Sequence, residues 1–204
     1  MVTYIIIAIT SVFSVIAFQN HLAFHKYLFN PYTIYRNKEW YRFFSHAFIH
    51  ADWMHFLMNM FVLYSFGALV ERYFDVLFDS KSTFYYILLY LGGIMASSIP
   101  GFEKHKNNLY YNSVGASGAV SAVVFSSILI NPGQTLMFMF FPFPIPAVVF
   151  GILYLVYSWY MSKKGMDNIG HDAHFWGAVF GLIFTIILKP TLALFFIEQV
   201  QNIF

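Results

Sequence analysis

Cysteine is absent from the 204-residue chain, which rules out disulfides, cysteine nucleophiles and thiolate metal sites. Charge is scarce as well. Asp, Glu, Lys and Arg make up only 10% of residues, against about 25% in an ordinary soluble domain, so the chain cannot cover a water-facing surface. The formal net charge of +2 gives no reason to expect a nucleic-acid partner. No internal repeat and no low-complexity tract is present, and one domain over residues 1–204 is the simplest organisation.

What is present is apolar and aromatic. Hydrophobic residues reach 59%, and the 26 Phe and 15 Tyr make 22% aromatics with Trp. Together these point to the lipid bilayer as the solvent. A crossing helix needs about 20 mostly apolar residues. Six stretches approach that length, at about 2–19, 53–70, 83–99, 117–130, 145–161 and 173–188. The expected fold is an all-α membrane protein, a bundle of six transmembrane helices. The first stretch has no basic residue before it and no clear small-residue cleavage site, so it reads as a retained span. The long segment after it, from Asn20 to Asp52, is too polar to cross and too aromatic to float free, so it is expected to lie partly in the interface. "GFEKHKNNLYYN" reads as a polar loop, and Pro142, Pro144 and Pro146 exclude a regular helix before the fifth span.

Polar side chains inside spans are costly and usually functional. Three places stand out. In "HFLMN", His55 and Asn59 are four apart and share a helix face. In "GASGAVSA", Ser117 opens a span whose small residues Gly118 and Ala122 suit close helix contact. In "AHFWGAVFG", His174, Gly177 and Gly181 share a face. Taken singly, each motif reads as helix packing or an interfacial histidine. Taken together they align. Spans two, four and six enter from one side, and His55, Ser117 and His174 each lie near the start of one of them. The stripes Gly118/Ala122 and Gly177/Gly181 are complementary, so their contact would bring Ser117 to His174.

That set has a chemistry. A neutral histidine can take the proton that makes serine a nucleophile. Backbone N–H groups at a helix start, with His55 and Asn59, could stabilise the oxyanion of an attacked carbonyl. No acidic third member is evident, and Asp172 reads as a helix cap.

The chain resembles the rhomboid family of intramembrane serine proteases, on "HFLMN", "GASG" and "AHFWGAVFG" in this order and on these spans, with the region from Trp40 to His55 similar to the family's embedded first loop and "GALVER" similar to its span-two ending. The resemblance implies a six-span rhomboid-type fold. It implies Ser117 as nucleophile, His174 as base, His55 and Asn59 as oxyanion donors, and Gly115 as the glycine before the nucleophile, with Gly118, Gly177 and Gly181 supporting. It implies no cofactor and no metal, substrates that are single-span or other membrane proteins, and a multi-pass place in the cell membrane with the site open to the extracytoplasmic side. Two positions depart from the family pattern. Tyr41 separates Trp40 from Arg42. Ser121 stands where some members have a tyrosine that packs on the base.

Charge opposes the implied orientation. Arg72, Lys81 and Lys189 lie on the N-terminal side of six spans, and the other eight basic residues lie on the active-site side, which the positive-inside rule would place in the cytoplasm. Four of those eight sit in the first loop, where the rule is weaker, and the family orientation is followed. The alternative function is a non-catalytic rhomboid-like protein that binds membrane clients. Such proteins usually lack the serine or the histidine. A metalloenzyme built on His46, His50 and His55 lacks an acidic base and an HExxH motif, and a transporter would need an inverted repeat that is not seen.

Overall fold

The computed structural model describes residues 1–138, 141–164 and 170–203, and the side chains of residues 137, 138, 141 and 142 lie outside what is described. The described chain is helical apart from one small hairpin. Helix α1 spans Val2–Gln19. The first loop carries α2 (His21–Tyr27), α3 (Pro31–Asn37) and α4 (Arg42–Ser45), followed by a 3₁₀ turn at His46–Phe48. Helix α5 (Trp53–Val62) runs through a π-helical stretch, Leu63–Gly67, into α6 (Ala68–Phe78). Then come α7 (Ser82–His105), α8 (Ser117–Ile130), strands β1 (Thr135–Phe138) and β2 (Phe141–Pro146), α9 (Ala147–Lys164), α10 (His171–Leu188) and α11 (Thr191–Gln201).

By length and composition, three helical stretches among the described residues can cross a membrane, namely Val2–Gln19, Trp53–His105 and His171–Leu188, while Ser117–Ile130 is apolar but shorter. The long second stretch folds back on itself. Asp79 adopts φ 48°, and beyond it Tyr85 packs on Phe78 with ring centroids 5.1 Å apart.

Helix α1 shows which solvent the surface meets. Its buried positions are Thr3, Thr10, Ser14 and Ala17, while Ile5, Val12 and Ile16 face outward. Polar inside and apolar outside is the reverse of a helix facing water, and it suits lipid. Two of the buried polar groups find partners across the bundle. Thr3 donates to Tyr86 Oη (2.8 Å), and Ser14 donates to the Phe48 carbonyl (3.1 Å).

Helix α8 is the centre of the bundle, with every residue from Gly118 to Ile130 buried. Its small residues admit neighbours on two sides. A methyl group at Gly93 of α7 would meet Ala122 Cβ at 2.9 Å and Ala119 Cα at 3.1 Å. On the other side α10 lies closer still. The serines of α8 are paired as well, Ser126 with the Thr185 hydroxyl of α10 (2.8 Å) and Ser127 accepting from Gln134 (2.7 Å).

Two boundaries change, and one expectation holds. The polar loop after the third span begins later than read, because α7 continues past Pro100 to His105. The proline-rich stretch is not helical, as expected; it forms β2, paired antiparallel with β1. A two-stranded ribbon is all edge, where proline is tolerated. The fifth helix begins at Ala147, just after Pro146, and runs to Lys164. The first loop forms short helices. Asn20 and Asn30 cap α2 and α3 by accepting from Ala23 N–H (3.1 Å) and Thr33 N–H (2.7 Å). Buried Arg42 ties the loop together through Glu39 (2.7 Å) and the carbonyls of His25 (2.9 Å) and Leu28 (2.8 Å).

Candidate active site

Ser117 is the first residue of α8 and is half-buried. The segment delivering it is held by the first loop. Phe29 and Ser113 exchange both backbone hydrogen bonds (2.9 and 3.0 Å), and Gly115 N–H donates to the His46 carbonyl (2.9 Å). The chain turns into the helix at Gly115, whose φ of +110° is a conformation that side-chain-bearing residues rarely adopt. The first intrahelical bond runs from Val120 N–H to the Ala116 carbonyl (2.9 Å). The N–H groups of Ser117, Gly118 and Ala119 therefore stand outside the helical ladder, at the positive end of the helix.

The contact between α8 and α10 sets the second residue. A methyl group at Gly177 would collide with the Gly118 carbonyl oxygen, and one at Gly181 would collide with that of Ala122. Both steps advance four residues in the same direction, so the helices run parallel and in fixed register. His174 precedes Gly177 by three residues and Ser117 precedes Gly118 by one. At 1.5 Å per residue their levels differ by about 3 Å. The Ala173 carbonyl beside His174 lies 3.4 Å from where a Gly118 side chain would begin. The stripes read from the sequence thus meet as expected.

His55 arrives from α5. Asp52 caps that helix by accepting from His55 N–H (2.8 Å). The imidazole lies close against the approach to Ser117, since a methyl group at Gly115 would meet His55 Cε1 at 2.5 Å and Nε2 at 2.7 Å. Asn59 is buried one turn further along. Its amide donates to the His55 carbonyl (2.9 Å), which engages one of its two N–H groups. His50 packs edge-on against His55, ring centroids 5.0 Å apart.

The two other histidines of this region are structural. Ser98 gives its proton to the Ile94 carbonyl (2.7 Å), so at 3.0 Å from His46 Nε2 it accepts. Ser14 gives its proton to Phe48, so at 2.9 Å it accepts from His50 Nδ1. Both imidazoles are thereby read as neutral tautomers. Burial holds His46 down to about 4 and His50 to about 3, with the neighbouring His55 adding to the effect at His50. Among the described residues, no group of three or more His, Asp or Glu is arranged to hold a metal ion.

Comparison with known proteins decides the family. The profile of the Rhomboid domain matches residues 37–191, three quarters of the chain. The chain belongs to the rhomboid family. The match begins within the first loop and ends at the start of α11, so α1 lies outside it. RHOMBOID-like protein 12, mitochondrial, of Arabidopsis thaliana is 31% identical over 152 residues, covering 67% of this chain and 43% of that protein. Rhomboid-like protein 11, chloroplastic, of the same plant is 35% identical over 101 residues, covering 49% of this chain and 32% of that protein. The chain thus spans less than half the length of the curated relatives it matches.

Two further features of this rhomboid domain were not legible beforehand. Asp172 does not cap α10, whose N-terminal flank is Gly170. It pairs instead with Lys104 at the end of α7 (3.2 Å). And the wall beside His174, vacant of tyrosine at Ser121, is supplied by Tyr154 of α9. Its ring stacks on the imidazole with centroids 6.2 Å apart and 26° between planes.

Proposed function

We propose that this chain is an intramembrane serine endopeptidase that cleaves membrane protein substrates in or near their spanning helix. The single observation that carries the reading is the parallel register of α8 on α10 through Gly118/Gly177 and Ala122/Gly181, which supports a Ser117–His174 dyad. In the reaction, His174 accepts the Ser117 proton as Oγ attacks the scissile carbonyl. The oxyanion is stabilised by the open N–H groups at the start of α8 and by His55 and Asn59. His174 passes the proton to the leaving amine, an acyl-enzyme forms, and water activated by the same histidine releases it. The reading invokes no cofactor, and its partners are the lipid bilayer and single-span or other membrane proteins.

We place the six helices α1, α5–α6, α7, α8, α9 and α10 as six crossings of a cell membrane, with the site opening on the extracytoplasmic face. The plant relatives carry organelle names, and an organelle membrane is the other address this arrangement fits. The test of the function is a serine-directed phosphonate probe on the detergent-solubilised protein. Covalent label mapping to Ser117, lost in His174→Ala, supports the protease. A folded protein that never labels there supports the rhomboid-like, client-binding alternative.

A further inference from the structure

We propose that Tyr154 is a positioning residue for His174, held in place by Ser121, so that α9 sets the orientation of the base. The ring of Tyr154 lies nearly parallel to the imidazole, with centroids 6.2 Å apart and 26° between planes. Its hydroxyl is 2.7 Å from Ser121 Oγ. Ser121 sits one turn after Ser117 on the same face of α8. One side chain therefore spans the helix that carries the nucleophile and the face of the base on α10.

The surroundings make this a fixed wall. Phe125 of α8 and Phe150 of α9 flank the Tyr154 ring at centroid distances of 5.5 and 5.6 Å. A further aromatic neighbour of His174 is His171, set edge-on at 5.9 Å and 80°. An offset, near-parallel ring on one side and an edge-on ring on another restrict rotation of the imidazole about its χ2. A base must hold its nitrogen toward the serine proton, and a misplacement of 1 Å can cost on the order of 10²-fold in rate. Ser121 matters because it is short. It leaves the space beside His174 open to a ring from another helix, and its hydroxyl offers a polar partner to the half-buried phenol.

The catalytic half of this inference rests on the protease reading, while the stacking half does not, and the experiment separates them. The full chain is labelled with ¹³Cε1-histidine in detergent, and the His174 resonance is identified by its loss in His174→Ala. Tyr154→Leu keeps an apolar side chain but removes the ring, and should move that resonance, whereas Tyr154→Phe should move it little. Probe labelling and substrate turnover are measured on the same samples. Tyr154→Leu should lower kcat by about 10²-fold with KM within twofold. Tyr154→Phe and Ser121→Ala should each lower kcat by a similar, smaller factor, and the double variant should be no worse than either, because both remove one hydrogen bond. An unmoved His174 resonance in folded Tyr154→Leu overturns the stacking whatever the enzymology. A moved resonance with wild-type kcat overturns the positioning role. A moved resonance in a protein whose wild-type Ser117 is unreactive overturns the protease reading, and the positioning role with it.

Discussion

Gly177 of α10 rests directly on the carbonyl oxygen of Gly118 in α8, with no room for a methyl group between them. That contact stands one residue from Ser117 and three from His174, so it fixes both the packing of the core and the level of the candidate dyad.

Gly177→Ala should therefore act on stability and chemistry together. Overpacking of this kind costs about 1–3 kcal/mol, and prying α10 from α8 would also move His174. The measurement is thermal unfolding alongside probe labelling at Ser117, and both should fall. Gly133→Ala is the control, because among the described residues a side chain there meets only Ile203, at ordinary distance (3.6 Å). Equal effects at the two glycines would contradict the register.

Asn59→Ala separates catalysis from packing. Loss of one oxyanion donor costs about 10²–10³-fold in rate, or roughly 3–4 kcal/mol. An interhelical hydrogen bond in a membrane averages about 0.6 kcal/mol. Here the amide's visible bond is to its own helix, at the His55 carbonyl, so a structural role would be smaller still. Turnover should drop by about two orders of magnitude at unchanged thermal stability, with labelling of Ser117 slower but present. Unchanged turnover would return Asn59 to the helix.

Acid should unfold the first loop. His46 and His50 titrate near 4 and 3 in the folded chain because burial disfavours their charged forms, against about 6.5 when unfolded. The unfolded chain then binds more protons below neutrality. The stability these groups confer is fully present above about pH 6.5 and is lost as pH falls toward 4 and below, by up to about 1.4 kcal/mol per pH unit for each. Thermal midpoints measured from pH 7.5 to 4 should fall, and His46→Gln should flatten the fall. A midpoint independent of pH would show that these imidazoles are not buried.

The absence of cysteine makes orientation directly measurable. In the proposed topology, Asn107→Cys faces away from the cytoplasm and reacts with a membrane-impermeant thiol reagent in intact cells, while Ser80→Cys is protected. The reverse pattern would show that the eight basic residues on the active-site side obey the positive-inside rule after all.

Much of this arrangement is legible in the residues. Helix α1 and helix α8 fall at 2–19 and 117–130 as hydropathy places them, and the glycine stripes announce the α8–α10 contact, because small residues four apart have few other uses in a membrane helix. Hydropathy marks where apolar sequence stops, however, and not where a helix stops. Helix α7 therefore runs on through Glu103 and Lys104 into polar surroundings. The Lys104–Asp172 pair joins residues 68 apart, and no local pattern connects them. Tyr154 is equally silent. It is one of 15 tyrosines, in a helix with no polar motif around it, and its role emerges only when α9 is set beside His174. The departure at Ser121 was the one available hint, because it marked a place where a wall was missing.

The central claim is that Ser117 and His174 form one catalytic unit, and a single measurement addresses it. The purified protein is reconstituted in liposomes with a generic single-span substrate, and cleavage by wild type is compared with Ser117→Ala, His174→Ala and the double variant. Groups acting as a unit lose function non-additively. The account predicts cleavage by wild type, none detectable in either single variant, and a double variant no worse than either. Substantial cleavage by a folded Ser117→Ala protein would contradict it.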